Sequence, residues 1–159
     1  MSHAHNGKVA ENLPATLNRY SVFFTSDNYF GIEISAVREV IPIPKISKIP
    51  NVPRQVLGIF NLRSNLISLV DIRPLLGFKL KKKQNSDMVL ILGDGKFTFG
   101  ILVEKVMDFI MVEKSKIQIP SNNISKKITN YISGLFEMEG LGVIHLLDTN
   151  RLHNSNDLF

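Results

Sequence analysis

Histidine and cysteine usage limits the chemistry that this sequence can support. His3 and His5 lie near the N-terminus, and His145 and His153 lie eight residues apart with no carboxylate at a metal-ligand spacing. His145 falls inside a predicted strand, so we expect a half-buried or surface side chain. The chain has no cysteine, which excludes disulfides and thiolate catalysis. We therefore expect no metal site.

Four carboxylates recur at matching places in the two halves of the chain, namely Glu39, Asp71, Asp108 and Asp148. Repetition favours a structural role, such as capping a turn or pairing with a buried donor, over an asymmetric catalytic pair. No Gly-x-Ser-x-Gly elbow and no phosphate-binding loop accompanies them. We expect no catalytic residues, no enzymatic activity and no cofactor.

The net charge of +5 is concentrated in one lysine cluster, Lys79, Lys81, Lys82 and Lys83. Such a cluster is typical of a solvated loop. A small basic β-barrel that binds single-stranded nucleic acid remains the alternative, because such barrels bind strands through basic and aromatic side chains. The aromatic residues here are mostly phenylalanines at core-like positions, so we expect no nucleic-acid partner.

The elements that position these residues are predicted to be short strands. The apolar and β-branched patterns predict strands at Arg19 to Thr25, Tyr29 to Ile34, Leu66 to Val70, Met88 to Leu92, Lys96 to Val103 and Leu141 to Leu147. Helical signals are weak, with one or two turns predicted at Pro53 to Leu57, Pro74 to Leu76 and Asp148 to His153.

An internal repeat is the most informative pattern. Phe30-Gly31-Ile32 matches Phe99-Gly100-Ile101 at a spacing of 69, and Leu69-Val70-Asp71 matches Leu146-Leu147-Asp148 at a spacing of 77. Two copies with growing offsets predict two similar β lobes with loop insertions, rather than a solenoid. Gly31 and Gly100 predict a bulge or bend inside a strand. A groove is expected where the two lobes meet.

The organisation expected from these patterns is one domain between two tails. Residues 1–17 predict a disordered N-terminal tail, 18–153 the folded domain, and 154–159 a C-terminal tail. The repeat halves span about 29–78 and 88–150, with strand exchange between them possible. No apolar run has the roughly 20 residues of a membrane helix, so we expect no membrane insertion and a cytoplasmic location.

Several segments together resemble a CheW-like domain. The first half carries Phe30-Gly31-Ile32-Glu33-Ile34 and Val37-Arg38-Glu39-Val40, and later Val56 to Arg63 and Leu66 to Arg73. The second half agrees through Phe99 to Val103, Val106-Met107-Asp108, Ile132-Ser133-Gly134 and Leu146-Leu147-Asp148. The resemblance covers about Arg19 to Leu152. Its most specific part is Gly-x-x-Asn-Leu-Arg with the downstream Val-Asp-Ile-Arg.

The resemblance implies an all-β fold of two SH3-like, five-stranded β-barrel subdomains that share a hydrophobic core, with short helices. It also implies a chemotaxis-type scaffold without catalysis or cofactor. Such a scaffold couples the signalling tip of methyl-accepting chemoreceptors to the regulatory domain of a CheA-type histidine kinase. Because no kinase, receiver or phosphotransfer segment accompanies the domain, a stand-alone adaptor is expected.

The same resemblance implies the partner-binding residues. Arg63 is the expected receptor-facing cation, with Val37 and Glu39 close by, and the set further includes Gly58, Asn61 and Leu62. The family usually has Gly after this Arg, whereas this chain has Ser64 and then Asn65. We expect Asn65 to supply the positive φ of a tight turn. This departure leaves open a diverged adaptor of a pilus-based twitching-motility system.

Overall fold

The computed structural model describes residues 17–93 and 95–155. His3, His5 and Asp94, which is part of the predicted hairpin turn, lie outside the described residues. So do most of the predicted tails. The exceptions are Leu17, which begins the first strand, and Asn154 and Ser155, which end the described range.

The described residues form ten strands in two sheets of five. In chain order the strands are β1 (Leu17–Thr25), β2 (Asn28–Glu33), β3 (Val37–Pro42), β4 (Val56–Leu62), β5 (Asn65–Val70), β6 (Met88–Gly93), β7 (Thr98–Val103), β8 (Lys105–Glu113), β9 (Ile132–Met138) and β10 (Gly142–Leu147). The predicted strands agree with these bounds to within a few residues.

Two short α-helices and two 3-10 turns complete the described part of the fold. They are α1 (Lys126–Thr129), α2 (Thr149–His153) and the 3-10 turns Ile34–Ala36 and Lys114–Lys116. The carboxylate of Asp148 accepts from the backbone N–H of Arg151 at 3.1 Å and so caps α2. The prediction of a helical turn after Asp148 is confirmed.

The helical turn predicted at Pro53 to Leu57 is wrong. Val56 and Leu57 belong to β4, because β-branched Val56 pairs with Val70 of β5. The segment from Pro74 to Leu76 forms one turn with helical hydrogen bonds, because the N–H of Leu76 donates to the carbonyl oxygens of Ile72 at 3.2 Å and of Arg73 at 3.1 Å. Gly77 ends that turn, because its φ of 87° leaves the helical region.

Each sheet contains strands from both halves of the sequence. The first sheet has the order β8-β1-β2-β10-β9 and the second the order β3-β6-β7-β5-β4. The two orders become identical when β1 and β2 are matched with β6 and β7, and β8, β9 and β10 with β3, β4 and β5. In each sheet one half contributes a hairpin, and the other half adds one strand at its edge and a hairpin beside it.

Each sheet has one parallel strand pair, and that pair joins a strand of one half to a strand of the other. Strand β2 pairs with β10 in the first sheet, and β5 pairs with β7 in the second. All other named pairs are antiparallel. The result is two small, strongly bent SH3-like barrels, as the resemblance implied.

The core has three parts that follow from alternation along the strands. Phe60, Ile67, Val89, Ile91 and Leu102 are among the residues that fill the second barrel. The first barrel is filled by a smaller set that includes Tyr20, Val22, Val112, Ile144 and Leu146. The largest cluster lies between the barrels and draws on both sheets, including Phe23, Phe30, Ile32, Leu90, Leu92, Phe99 and Ile101. Strands such as β6 are apolar on both faces because both faces are buried.

Gly31 and Gly100 occur at places of close strand approach and not at the predicted bulges. The register is continuous across both residues. A Cβ at Gly31 would lie 3.0 Å from Leu146 Cδ2, and one at Gly100 would lie 2.9 Å from Val89 Cγ1. Side chains of the barrel interior occupy the space, so a Cβ at either position would force them to shift.

Gly58 is required for both its backbone angle and its surroundings. Its φ is +146°, and a Cβ there would meet the Ser47 carbonyl oxygen and lie 2.6 Å from Ile46 Cγ2. The chain after β3 crosses to β4 at this point, through an antiparallel bridge between Ser47 and Ile59. Gly134 has similarly close surroundings in the other barrel, beside the bridge between Gln118 and Leu135, but its φ is not positive.

We expect Gly58→Ala to lower the free energy of unfolding by more than about 3 kcal/mol. Strain at such a φ costs about 1–3 kcal/mol and overpacking about 1–3 kcal/mol more. Gly140→Ala is the matched control, because Gly140 also has a positive φ of 89° but nothing lies within 4 Å of its Cβ position. Gly140→Ala should lower the free energy of unfolding by about 1–2 kcal/mol. Equal losses in urea titrations of the two variants would contradict this account.

Candidate functional site

The loop between β4 and β5 presents Arg63. Leu62 pairs with Asn65, so the loop contains only Arg63 and Ser64, with φ values of 50° and 70°. Two consecutive positive φ values are what a two-residue type I′ hairpin requires. The prediction that Asn65 supplies the positive φ is wrong, because Asn65 is already the first residue of β5. Ser64 takes the conformation that Gly usually provides.

A bulge in β3 sets the position of Glu39. Val37 pairs with Leu92 and Glu39 with Ile91, so Arg38 is an extra residue in the ladder between β3 and β6. An extra residue re-aims the side chains that follow it. Glu39 consequently faces the β4–β5 loop.

Arg63 and Glu39 form a bidentate ion pair, although they are 24 residues apart in the sequence. Nη1 donates to Oε2 at 2.7 Å and Nη2 donates to Oε1 at 2.8 Å. These hydrogen bonds raise the pKa of Arg63 above its already high value. The side chain of Arg63 is 73% exposed and that of Glu39 is 25% exposed. The pair fixes the direction of the guanidinium while leaving most of it accessible.

The equivalent pair is missing from the described part of the other barrel. Asp108 on β8 corresponds to Glu39, but the loop between β9 and β10 carries Glu139, Gly140 and Leu141. No cation therefore faces Asp108 from that loop. An interaction that the barrel fold required would be expected in both copies, so the Arg63–Glu39 pair indicates a role specific to this face.

The remaining predicted residues have different surroundings. Asn61 is exposed at the end of β4, and Leu62 is half-buried against the core of the second barrel. Val37 is half-buried against the cluster between the barrels. Gly58 is buried and lies beside Ser47. The structure thus brings Glu39, Arg63 and Asn61 to one exposed face, with Val37 and Gly58 in supporting positions.

Leu66 belongs to this face and was missed by the sequence analysis. It pairs with Asn61 across the hairpin, and 72% of it is exposed. Ile67 and Leu69 of the same strand point into the barrel, so alternation along β5 places Leu66 outside. That alternation was the sequence signal that could have indicated the exposure of Leu66. We call the exposed residues Glu39, Asn61, Arg63 and Leu66 the ion-pair face.

A second exposed apolar surface lies on the other sheet. Phe109 is 58% exposed and Met111 is 52% exposed, and both lie on β8, the edge strand beside β1. Their neighbours Ile110 and Val112 point into the barrel. Exposed large hydrophobic side chains on an edge strand are a docking feature or an aggregation hazard. We call Phe109 and Met111 the β8 edge.

Asp71 and Asp148 have the structural roles predicted for the repeated carboxylates, whereas Asp108 is exposed on β8. Asp71 is buried and pairs with buried Arg73, whose Nη2 donates to Oδ2 at 2.6 Å. The hydrogen bonds that Arg73 donates to Asp71 raise the pKa of Arg73. Asp148 caps α2 as described above. Within residues 17–93 and 95–155, no three His, Cys, Asp or Glu side chains converge as a metal would need.

The lysine cluster and His145 also agree with their predictions. Lys79, Lys81, Lys82 and Lys83 are exposed in a loop between β5 and β6. His145 is half-buried, and its Nδ1 lies 3.0 Å from the carbonyl oxygen of Tyr29. No helix in the described part of the chain has both the length and the hydropathy needed to cross a membrane.

Comparison with known proteins identifies the family. The model of the CheW-like domain matches residues 19–157. The chemotaxis protein CheW of Treponema pallidum is 27% identical over 142 residues, which are 86% of this chain and 82% of the relative. The chemotaxis protein CheW of Rhizobium meliloti is 28% identical over 118 residues, 74% of this chain and 76% of the relative.

A solved structure shows the same fold. The crystal structure of the scaffolding protein TtCheW from Thermoanaerobacter tengcongensis superimposes with a TM-score of 0.77 at 23% identity, covering 89% of this chain and 99% of that one. The chain therefore belongs to the CheW-like domain family.

Proposed function

We propose that the chain is a chemotaxis-type adaptor that couples methyl-accepting chemoreceptors to a CheA-type histidine kinase. It acts as a scaffold and catalyses no reaction. A cytoplasmic location is part of the proposal, because a histidine kinase uses ATP and works there. One observation carries the proposal beyond family membership: the ion-pair face is an exposed, pre-oriented surface and not an enclosed reaction centre.

The ion-pair face is the proposed contact for the receptor signalling tip. Its guanidinium is held by Glu39 and remains 73% exposed, so a partner's carboxylate or helix-terminal carbonyls can approach it without a large loss of side-chain freedom. Leu66 adds an apolar anchor beside the charge. Interfaces commonly concentrate their binding energy in such an arginine and its apolar neighbours.

The β8 edge is the proposed contact for the regulatory domain of the kinase. Phe109 and Met111 offer a flat apolar surface on an edge strand, which suits packing against another small barrel. Because the ion-pair face and the β8 edge lie on different sheets, the two partners can bind at the same time.

We expect Arg63→Glu to weaken binding to a purified receptor signalling fragment by more than about tenfold, with little change in the melting temperature. The swapped double variant Glu39→Arg/Arg63→Glu restores an ion pair with its charges exchanged. If the receptor binds the cation at position 63, the swap leaves binding weak. Isothermal titration and thermal unfolding measure both effects.

Arg54→Glu is the matched control for that experiment, because Arg54 is an exposed arginine of the same barrel region outside the ion-pair face. It should leave receptor affinity within about twofold, since a single distant surface charge is strongly screened. Full recovery of binding in the swapped variant would show that the receptor does not contact the cation at position 63 and that the ion pair only stabilises the fold.

We expect Phe109→Asp to reduce affinity for a CheA-type regulatory domain by more than about tenfold while receptor binding is kept. Leu66→Asp should have the reciprocal effect. Both side chains are exposed, so neither change should unfold the protein. Binding of the unsubstituted protein to neither partner in surface plasmon resonance would refute the adaptor proposal. Equal effects of the two variants on both partners would refute the assignment of faces.

A further inference from the structure

A groove with an apolar floor and a lysine rim lies on the second barrel. Its volume is about 270 Å³. Its apolar floor is formed by Ile46, Leu57, Leu80 and Leu102, and Lys48, Lys81, Lys83 and the paired Asp71 complete its lining. The volume is below the roughly 300–1,000 Å³ of pockets that enclose drug-sized molecules. It is of a size to receive one or two side chains of a peptide. We call these residues the lysine-rimmed groove.

Buried charges hold the loop that forms one wall of this groove. Asp71, Arg73 and Asp87 are the buried charged side chains of the described residues. Arg73 Nη2 donates to the Lys81 carbonyl oxygen at 3.3 Å, and Nη2 and Nε both donate to Asp71. The backbone N–H of Gln84 donates to Asp87 Oδ2 at 2.9 Å. Buried charges are costly unless fully paired, so this arrangement specifies one loop conformation.

The rim carries unneutralised positive charge. Lys81 Nζ lies 3.5 Å from Glu104, so that ammonium has an acidic neighbour. Among the described residues, no carboxylate lies within 4 Å of the ammonium groups of Lys48 or Lys83. Lys79 and Lys82 add exposed charge on the same loop. A loop held this firmly presents its cations in a pre-organised array, which lowers the cost of binding an anion.

We propose that the lysine-rimmed groove binds an acidic, amphipathic peptide segment of a further protein partner. An apolar side chain of the peptide enters between Leu57, Leu80 and Leu102, and flanking carboxylates pair with Lys48 and Lys83. The groove lining contains no aromatic side chain. Nucleic-acid bases need aromatic platforms for stacking, so a peptide fits this surface better than a single strand.

This surface is separate from the ion-pair face. Leu57 lies near the start of β4 and Arg63 lies just beyond its end. With a rise of about 3.3 Å per residue the two side chains are roughly 20 Å apart. A peptide in the groove would leave Arg63 and Glu39 accessible, and the proposal holds whether or not receptor and kinase bind as proposed above.

Fluorescence anisotropy at low salt tests the groove with a labelled short peptide, Glu-Asp-Leu-Phe-Asp-Glu-Leu-Glu. We expect saturable binding to the full chain. Lys48→Glu/Lys83→Glu should weaken it by more than about tenfold, because two attractive contacts become repulsive. Leu80→Ser, which truncates an exposed side chain of the floor, should weaken it by about threefold to tenfold.

The double variant Lys114→Glu/Lys116→Glu is the matched control, because it makes the same change in net charge at exposed lysines outside the groove. It should change affinity by less than about twofold at moderate salt. A peptide with Ser in place of Leu and Phe should bind far more weakly. A labelled oligothymidine provides the nucleic-acid arm.

Four results would overturn the proposal. They are absence of saturable peptide binding, equal losses in the groove and control variants, equal affinity for the serine peptide, and tighter binding of oligothymidine than of the peptide. Thermal unfolding of each variant shows whether a loss of binding comes from a loss of fold.

Discussion

The shared apolar cluster between the two sheets is the constraint on which the rest of the structure depends. Phe23, Phe30 and Ile32 enter it from the first sheet, and Leu90 and Phe99 enter it from the second. Burying a large apolar side chain contributes about 1.5–3 kcal/mol. A barrel of some 60 residues is marginal by itself, so the cluster makes one stable body of two barrels. The exchange of strands between the halves has the same effect, since neither sheet can form from one half alone.

A body built in this way is suited to hold two partners in a fixed relation. The chain crosses from the first sheet to the second through the 3-10 turn Ile34–Ala36, and Val37 packs on the shared cluster directly after that turn. Glu39 follows on the bulged strand and orients Arg63. The ion-pair face is therefore tied to the centre of the molecule by a few residues. The β8 edge is tied to the same centre through β1, which carries Phe23.

The repeat and the family resemblance predicted the fold well because they depend on local patterns. Strand alternation, the Phe-Gly-Ile repeat and the hairpins can be recognised in a few neighbouring residues. Gly31 was misassigned to a bulge, because a strand glycine can also mark a close approach, and only the position of Leu146 distinguishes the two. The segment Pro53–Leu57 was misassigned because its strand state depends on pairing with β5.

The candidate site was only partly predictable for the same reason. The resemblance supplied Arg63 and Glu39 as residues, but no local pattern shows that they meet across 24 residues. Their contact depends on the β3 bulge and on the positive φ of Arg63 and Ser64. Leu66 and Phe109 are large apolar residues of the kind that fill a core, and only the alternation along their strands distinguishes them from core residues. The groove beside the lysine loop depends on three buried charges of the segment between β5 and β6, and no local pattern shows that these side chains are buried.

The central claim is that this chain bridges a receptor and a kinase as one rigid body, and a three-component assembly assay tests it most directly. A receptor signalling fragment is immobilised, and a CheA-type kinase is passed over it with and without the adaptor. The account predicts that the kinase is retained only when the adaptor is present, in a complex that contains all three proteins. Retention of the adaptor with displacement of the kinase, or retention of the kinase regardless of the adaptor, would contradict it.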